Sequence, residues 1–164
     1  MTSGRPPAPP VIPGFTFLRA LGSGGYSRVY LYEQHMPRRE VAVKVMHDVA
    51  VSATSRFEHE ANLMAKVSSH PAILSIYGAG VSEGGRPFIV MEYCPPPDLG
   101  EIARSEPLSV EQALKYAVQV AGAVETIHRA GYLHRDIKPS NIICSQRGPV
   151  LIDFGIAMGA EDEH

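Results

Sequence analysis

Between Tyr132 and Gly155 the chain places two carboxylates, Asp136 and Asp153, and one side-chain amide, Asn141, along a short path. Hard oxygen ligands of this kind suit Mg²⁺, which takes one or two carboxylates together with the phosphates of a substrate. Two apolar runs, Ile142–Cys144 and Val150–Ile152, lie between them, separated by Ser145-Gln146-Arg147-Gly148-Pro149, a turn by composition. The spacing predicts a short hairpin with a ligand-bearing segment at each end. The rest of the chain must hold this hairpin and supply the groups that receive the phosphates.

The 164 residues suffice for one core or two small lobes sharing a cleft. A formal net charge of −2 gives no electrostatic case for nucleic acid or an acidic membrane surface. The two cysteines, Cys94 and Cys144, are far apart and outside any CxxC pattern, which argues against a disulfide framework or a zinc site and fits a reduced, cytoplasmic setting. No apolar run is long enough to span a bilayer.

Residues 1–14 carry five prolines, at positions 6, 7, 9, 10 and 13, and are expected to be a disordered leader. Strand-like alternation follows in three runs, at Phe15 and Phe17, at Val29 and Leu31, and at Val41, Val43 and Val45. In the third run Val41, Val43 and Val45 share one face, and Ala42, Lys44 and Met46 the other. A lone lysine there would ordinarily snorkel to water. Residues 52–69 read as a helix with Phe57, Ala61, Met64 and Val67 in one stripe and Glu60 beside it, facing the body of the protein. The apolar runs Ala72–Ala79 and Pro87–Tyr93 complete five strands, and Cys94-Pro95-Pro96-Pro97 breaks regular structure. Ser109 and Gln112 form a capping box for a long helix with the stripe Ala113, Ala117, Val120, Val124 and Ile127, ending near Gly131.

Five elements in this order resemble the protein kinase family. They are Gly22-Ser23-Gly24-Gly25-Tyr26-Ser27-Arg28-Val29 (with Ser27 in place of the third glycine), Val41-Ala42-Val43-Lys44, Glu60 on its helix, His134-Arg135-Asp136-Ile137-Lys138-Pro139-Ser140-Asn141, and Asp153-Phe154-Gly155. The resemblance implies an α+β, protein-kinase-like fold. An N-lobe over 15–94 would hold a five-stranded antiparallel sheet and one helix, and 95–164 would be the first part of a mostly helical C-lobe. It implies ATP and Mg²⁺ (or Mn²⁺) as cofactors and phosphoryl transfer to Ser/Thr hydroxyls of protein substrates.

Roles follow from the same resemblance. Asp136 would accept the hydroxyl proton, Lys138 would neutralise the transferred group, and Asn141 and Asp153 would hold the metal. Lys44, paired with Glu60, would hold the α and β phosphates. Leu21, Gly22, Ser23, Gly24, Gly25, Val29, Ala42, Met91 and Ile143 would surround the nucleotide. Backbone groups of Glu92 and Cys94 would read the adenine edge, and Asp98 would meet the ribose. Met64, Ile76, His134 and Phe154 would stack as a column, with His134 structural, and Arg135 would answer to a phosphate on the activation loop. Lys138 points to Ser/Thr rather than Tyr specificity. Partners would be ATP, protein substrates and other kinase domains through self-association, with no nucleic acid.

After Gly155 no Ala-Pro-Glu-like anchor follows before His164. The chain is therefore expected to be the N-terminal part of a kinase, cytoplasmic or the cytoplasmic part of a membrane-anchored protein. Its long helix would show an apolar patch, and transfer to protein by these residues alone would be weak or absent. A non-catalytic nucleotide-binding or regulatory module of kinase fold is the alternative. A small-molecule phosphotransferase of related fold is disfavoured by Arg135 and by Phe154-Gly155.

Overall fold

The computed structural model describes residues 8–23, 27–46, 51–134, 136–152 and 158–159, with only the backbone given for 51–54, 56, 158 and 159. Two compact units are present, Met1–Phe57 with Tyr77–Tyr93, and Glu58–Ile76 with Cys94–His164. The first unit is built on a five-stranded sheet of β1 (Phe15–Ser23), β2 (Ser27–His35), β3 (Arg38–Met46), β4 (Ile76–Val81) and β5 (Pro87–Glu92), ordered β1-β2-β3-β5-β4. The β1–β2, β2–β3 and β3–β5 pairings are antiparallel.

The sheet's two faces do different things. One carries Tyr30, Tyr32, Val41, Val43, Val45 and Val90, which close into an apolar cluster with Phe15 and Phe88 against it. Burying β-branched and aromatic side chains on one pleated face is the main driving force for this sheet. The opposite face carries Val29, Leu31, Ala42, Lys44, Ile89 and Met91, as the cross-strand register requires. The alternation expected along β3 is therefore present.

The leader differs from expectation over residues 8–14. Ile12 is 4% exposed and belongs to the apolar cluster. The Tyr32 hydroxyl donates to the Pro10 carbonyl at 2.6 Å, and Arg86 Nη2 donates to the Ala8 carbonyl at 2.7 Å. Proline-rich backbone with few internal hydrogen bonds is held here by one apolar anchor and by side-chain donors from β2 and the β4–β5 turn.

Helix α1 (Val51–Val67) begins in the first unit and continues into the second. Phe57, Leu63, Met64 and Val67 are its buried side chains among those described, and Glu60 is half-buried. The apolar run from Ala72 is not all strand, and the segment 58–76 groups with the second unit rather than with an N-lobe over 15–94. Ala72, Ile73 and Leu74 are buried beside the hairpin: Ile73 bridges Leu151 in parallel, Leu74 N–H donates to Leu151 O, and Leu151 N–H donates to Ala72 O.

The rest of the second unit comprises α2 (Leu99–Ser105), α3 (Val110–Arg129), β6 (Tyr132–Leu133), a 3₁₀ turn at Pro139–Asn141, the hairpin β7 (Ile142–Ser145) and β8 (Gly148–Leu151), and β9 (Met158–Gly159) paired with β6. Both halves of the Ser109/Gln112 capping box form. The buried row of α3 is shifted from the expected stripe. Ala123 and Ile127 are buried, Val120 and Val124 half-buried, and Ala113 and Ala117 exposed. The C-terminal half of α3 lies against β6 and β8, while Val110, Leu114 and Val118 stand 77%, 62% and 72% exposed. These three form the exposed apolar face of the helix.

Candidate functional site

Asp136 is held from both sides by its own loop. Lys138 Nζ lies 3.1 Å from Asp136 Oδ2, and Asn141 Nδ2 donates to the same oxygen at 3.1 Å and to the Asp136 carbonyl at 2.9 Å. The lysine ammonium, hydrogen-bonded to the carboxylate, holds Asp136 below the usual carboxylate range, and Asn141 adds to that effect. All three contacts with the side chain and backbone leave Oδ1 as the oxygen not engaged among the described residues.

The loop that presents these groups is fixed by backbone bonds. Pro139 opens the 3₁₀ turn with its preset φ, and Asn141 N–H donates to Lys138 O at 2.9 Å. Ile152 N–H then donates to Asn141 O at 3.0 Å, tying the end of β8 to the start of β7. The hairpin turn is only Gln146-Arg147, closed by Gly148 at φ +109°, a conformation open to glycine. Upstream, His134 is 2% exposed and its Nδ1 accepts the Asp136 N–H at 3.2 Å. A neutral imidazole accepting at Nδ1 carries its ring proton on Nε2.

In the first unit the register gathers the other candidates on one sheet face. Gly22 pairs with Val29 and Val29 with Lys44, while Leu31 pairs with Ala42 and Ala42 with Met91. Lys44 is half-buried on β3, and Glu92 ends β5 opposite Val41.

A family model described as the protein kinase domain matches residues 15–164. The chain belongs to the protein kinase family. It is 43% identical over 147 residues to the serine/threonine-protein kinase PknK of Mycobacterium tuberculosis, covering 88% of this chain and 13% of that protein. It is 40% identical over 156 residues to the serine/threonine-protein kinase pkn2 of Myxococcus xanthus (91% and 19%). It is 39% identical over 150 residues to the serine/threonine-protein kinase PknB of Mycobacterium tuberculosis (87% and 24%). The chain thus spans between 13% and 24% of the length of these relatives.

Of the residues expected in this kinase site, Gly24, Gly25, Arg135, Asp153, Phe154 and Gly155 lie outside the described residues. Asp136, Lys138 and Asn141 come together. Leu21, Gly22, Ser23, Val29, Ala42, Lys44, Met91 and Glu92 fall on the first unit's sheet. Met64 and His134 are buried, and Ile76 is half-buried. Asp98 and Ile143 meet as an isolated antiparallel bridge. Asp98 also has a second role: its Oδ1 accepts the Glu101 N–H at 2.8 Å, and Glu101 Oε2 accepts the Asp98 N–H, capping α2. The Asp98-x-x-Glu101 spacing is the signal that would have predicted this helix. Burial pushes the Cys144 thiol up, opposed by the Tyr116 hydroxyl and reinforced by the charge of Asp98. No cluster of three or more His, Cys, Asp or Glu side chains able to hold a metal occurs among the described residues, and none of the described helices is long and apolar enough to cross a membrane.

Proposed function

We propose that the chain carries the nucleotide- and metal-binding residues of a serine/threonine protein kinase and serves ATP-dependent phosphoryl transfer to Ser/Thr hydroxyls. The observation that carries this is the Asp136 carboxylate, gripped at Oδ2 by Lys138 and Asn141, with Oδ1 not engaged among the described residues. Asp136 Oδ1 is the atom to orient a substrate hydroxyl and take its proton, and Lys138 the charge to offset the moving phosphoryl group. With Asn141 Nδ2 committed to Asp136, the amide oxygen is left to meet a cation. A single amide oxygen from this loop, joined by Asp153, fits Mg²⁺, which fills its remaining positions with water and phosphate. Held by Asn141 and Asp153, such an ion would supply positive charge to offset that of the phosphates. Lys44, partnered by Glu60, would hold the α and β phosphates. The Ala42–Met91 row and the backbone of Glu92 and Cys94 would take the adenine, with Leu21, Gly22–Gly25, Val29 and Ile143 around it and Asp98 toward the ribose.

The test is paired. Calorimetry should show Mg²⁺-dependent ATP binding by the purified protein, retained by Asp136→Asn. Single-turnover transfer from labelled ATP to a Ser/Thr peptide should fall by roughly 10²–10⁴-fold in that variant, the usual contribution of a general base. Undiminished transfer by Asp136→Asn would remove the assigned role, and absence of Mg²⁺-dependent ATP binding would remove the reading as a whole.

A further inference from the structure

The edge strand β1 reaches the end of β5 through a side-chain contact, and its backbone is shaped to allow it. Regular alternation would put Arg19 on the same face as Phe15 and Phe17. Instead the β1–β2 register slips between Phe17 and Arg19, and again between Ala20 and Gly22. Phe17 stays on the core face, edge-on to Tyr30 and Tyr32. Arg19 crosses to the other face, opposite Leu31, and the second slip sets Gly22 opposite Val29 on that same face. Bulges re-aim side chains in this way beside functional sites.

Arg19 thereby heads the cross-strand row Arg19–Leu31–Ala42–Met91. From β1 to β5 is three strand spacings, about 14 Å, a gap that only two long side chains meeting tip to tip can close. Arg19 Nη2 donates to the hydroxyl of Tyr93, the residue after β5, at 3.0 Å. The contact passes over Leu31 and Ala42, which are 3% and 6% exposed.

We propose that Arg19 and Tyr93 form a latch that sets how far β1 stands above the purine end of the nucleotide site. The latch rests on the nucleotide reading given above, in which the Ala42–Met91 row receives the adenine. Both are positioning residues: they fix the roof strand against the strand whose end reads the base, and neither touches the phosphates. Arg19 is exposed and Tyr93 half-buried, so the contact contributes little to folding.

Arg19→Ala and Tyr93→Phe, made singly and together, test it by calorimetric titration with Mg·ATP, Mg·ADP and adenosine. Each single variant should weaken all three ligands by a similar factor, about 2–5-fold, the size of one exposed charged hydrogen bond. The double variant should be no weaker than either single. Tripolyphosphate, which has no purine, should bind all variants equally, and melting temperatures should match wild type. Unchanged adenosine affinity in both variants, with wild type binding normally, overturns the latch. An equal loss for tripolyphosphate also overturns it, because the contact would then be a general brace. A wild-type protein that binds no adenine nucleotide overturns the nucleotide reading and the latch with it.

Discussion

Replacing Ile12 with alanine probes the support behind strand β3. Ile12 is 4% exposed and packs in the cluster with Val41, Val43 and Val45, whose strand carries Ala42 and Lys44 on its other face. The change deletes about three methylene equivalents, or roughly 2.4 kcal/mol of transfer free energy at ~0.8 kcal/mol each. A cavity term adds to this in a rigid core, where such substitutions cost about 2–5 kcal/mol. Ile12 lies on an irregular segment that can settle into the gap, so the low end applies, about 2–3 kcal/mol. At roughly 2–4 °C per kcal/mol for a chain of this size, melting should fall by about 4–12 °C. The chain has no tryptophan and seven tyrosines. Tyr30 and Tyr32 lie in the Ile12 cluster with ring centroids 6.4 Å apart, so near-ultraviolet circular dichroism reads this core directly. Val11→Ala is the control, because Val11 is 69% exposed. If Ile12→Ala and Val11→Ala both melt within about 0.5 kcal/mol of wild type, as surface changes do, the segment is not part of the core.

Tyr32 is raised to about 12, by burial first and by neighbouring Tyr30 second. The unfolded chain ionises a tyrosine near pH 10, so this group's contribution to stability is full below that pH and is lost as pH rises from about 10 to 12. Tyr32→Phe should flatten the alkaline fall in melting temperature across that window, and an unchanged fall would remove Tyr32 as its source. Lys138→Met removes the main cause holding Asp136 low. The acid limb of single-turnover transfer should then move to higher pH along with a lower plateau rate, and an unshifted limb would show that Lys138 does not tune the carboxylate. Gly148→Ala forces an L-residue to φ +109° and brings its Cβ to 3.2 Å from Gln119 Oε1. It should cost about 1–3 kcal/mol in thermal or denaturant unfolding, whereas Gly78→Ala, with nothing within 4 Å of its Cβ, should cost less. Equal losses at the two glycines would refute the strain assignment.

Local chemistry made part of this protein readable in advance. The β3 alternation, the Ser109 capping box and the hairpin after Asn141 each depend on a few adjacent residues and each forms, although Ser145, Gly148 and Pro149, read as turn by composition, belong to the paired strands. Asp136, Lys138 and Asn141 are legible for the same reason, since five residues and a proline-led turn bring them together. What escaped depends on partners far along the chain. The apolar residues of α3 occupy most of its circumference, so periodicity could not choose the row that meets β6 and β8. Residues 8–14 read as mobile from their prolines, yet one isoleucine finds a cluster made by three strands. The β1 bulges leave no mark in Phe15-Thr16-Phe17-Leu18-Arg19, where plain alternation fits equally well. Only the aromatic packing of Phe17 on one face and the reach of Arg19 to Tyr93 on the other explain why the strand slips. The Asp136 loop is thus written locally, whereas the surface proposed to receive the nucleotide is shaped by long-range pairing. Substitutions on β1 should therefore alter nucleotide affinity without altering the Asp136 loop.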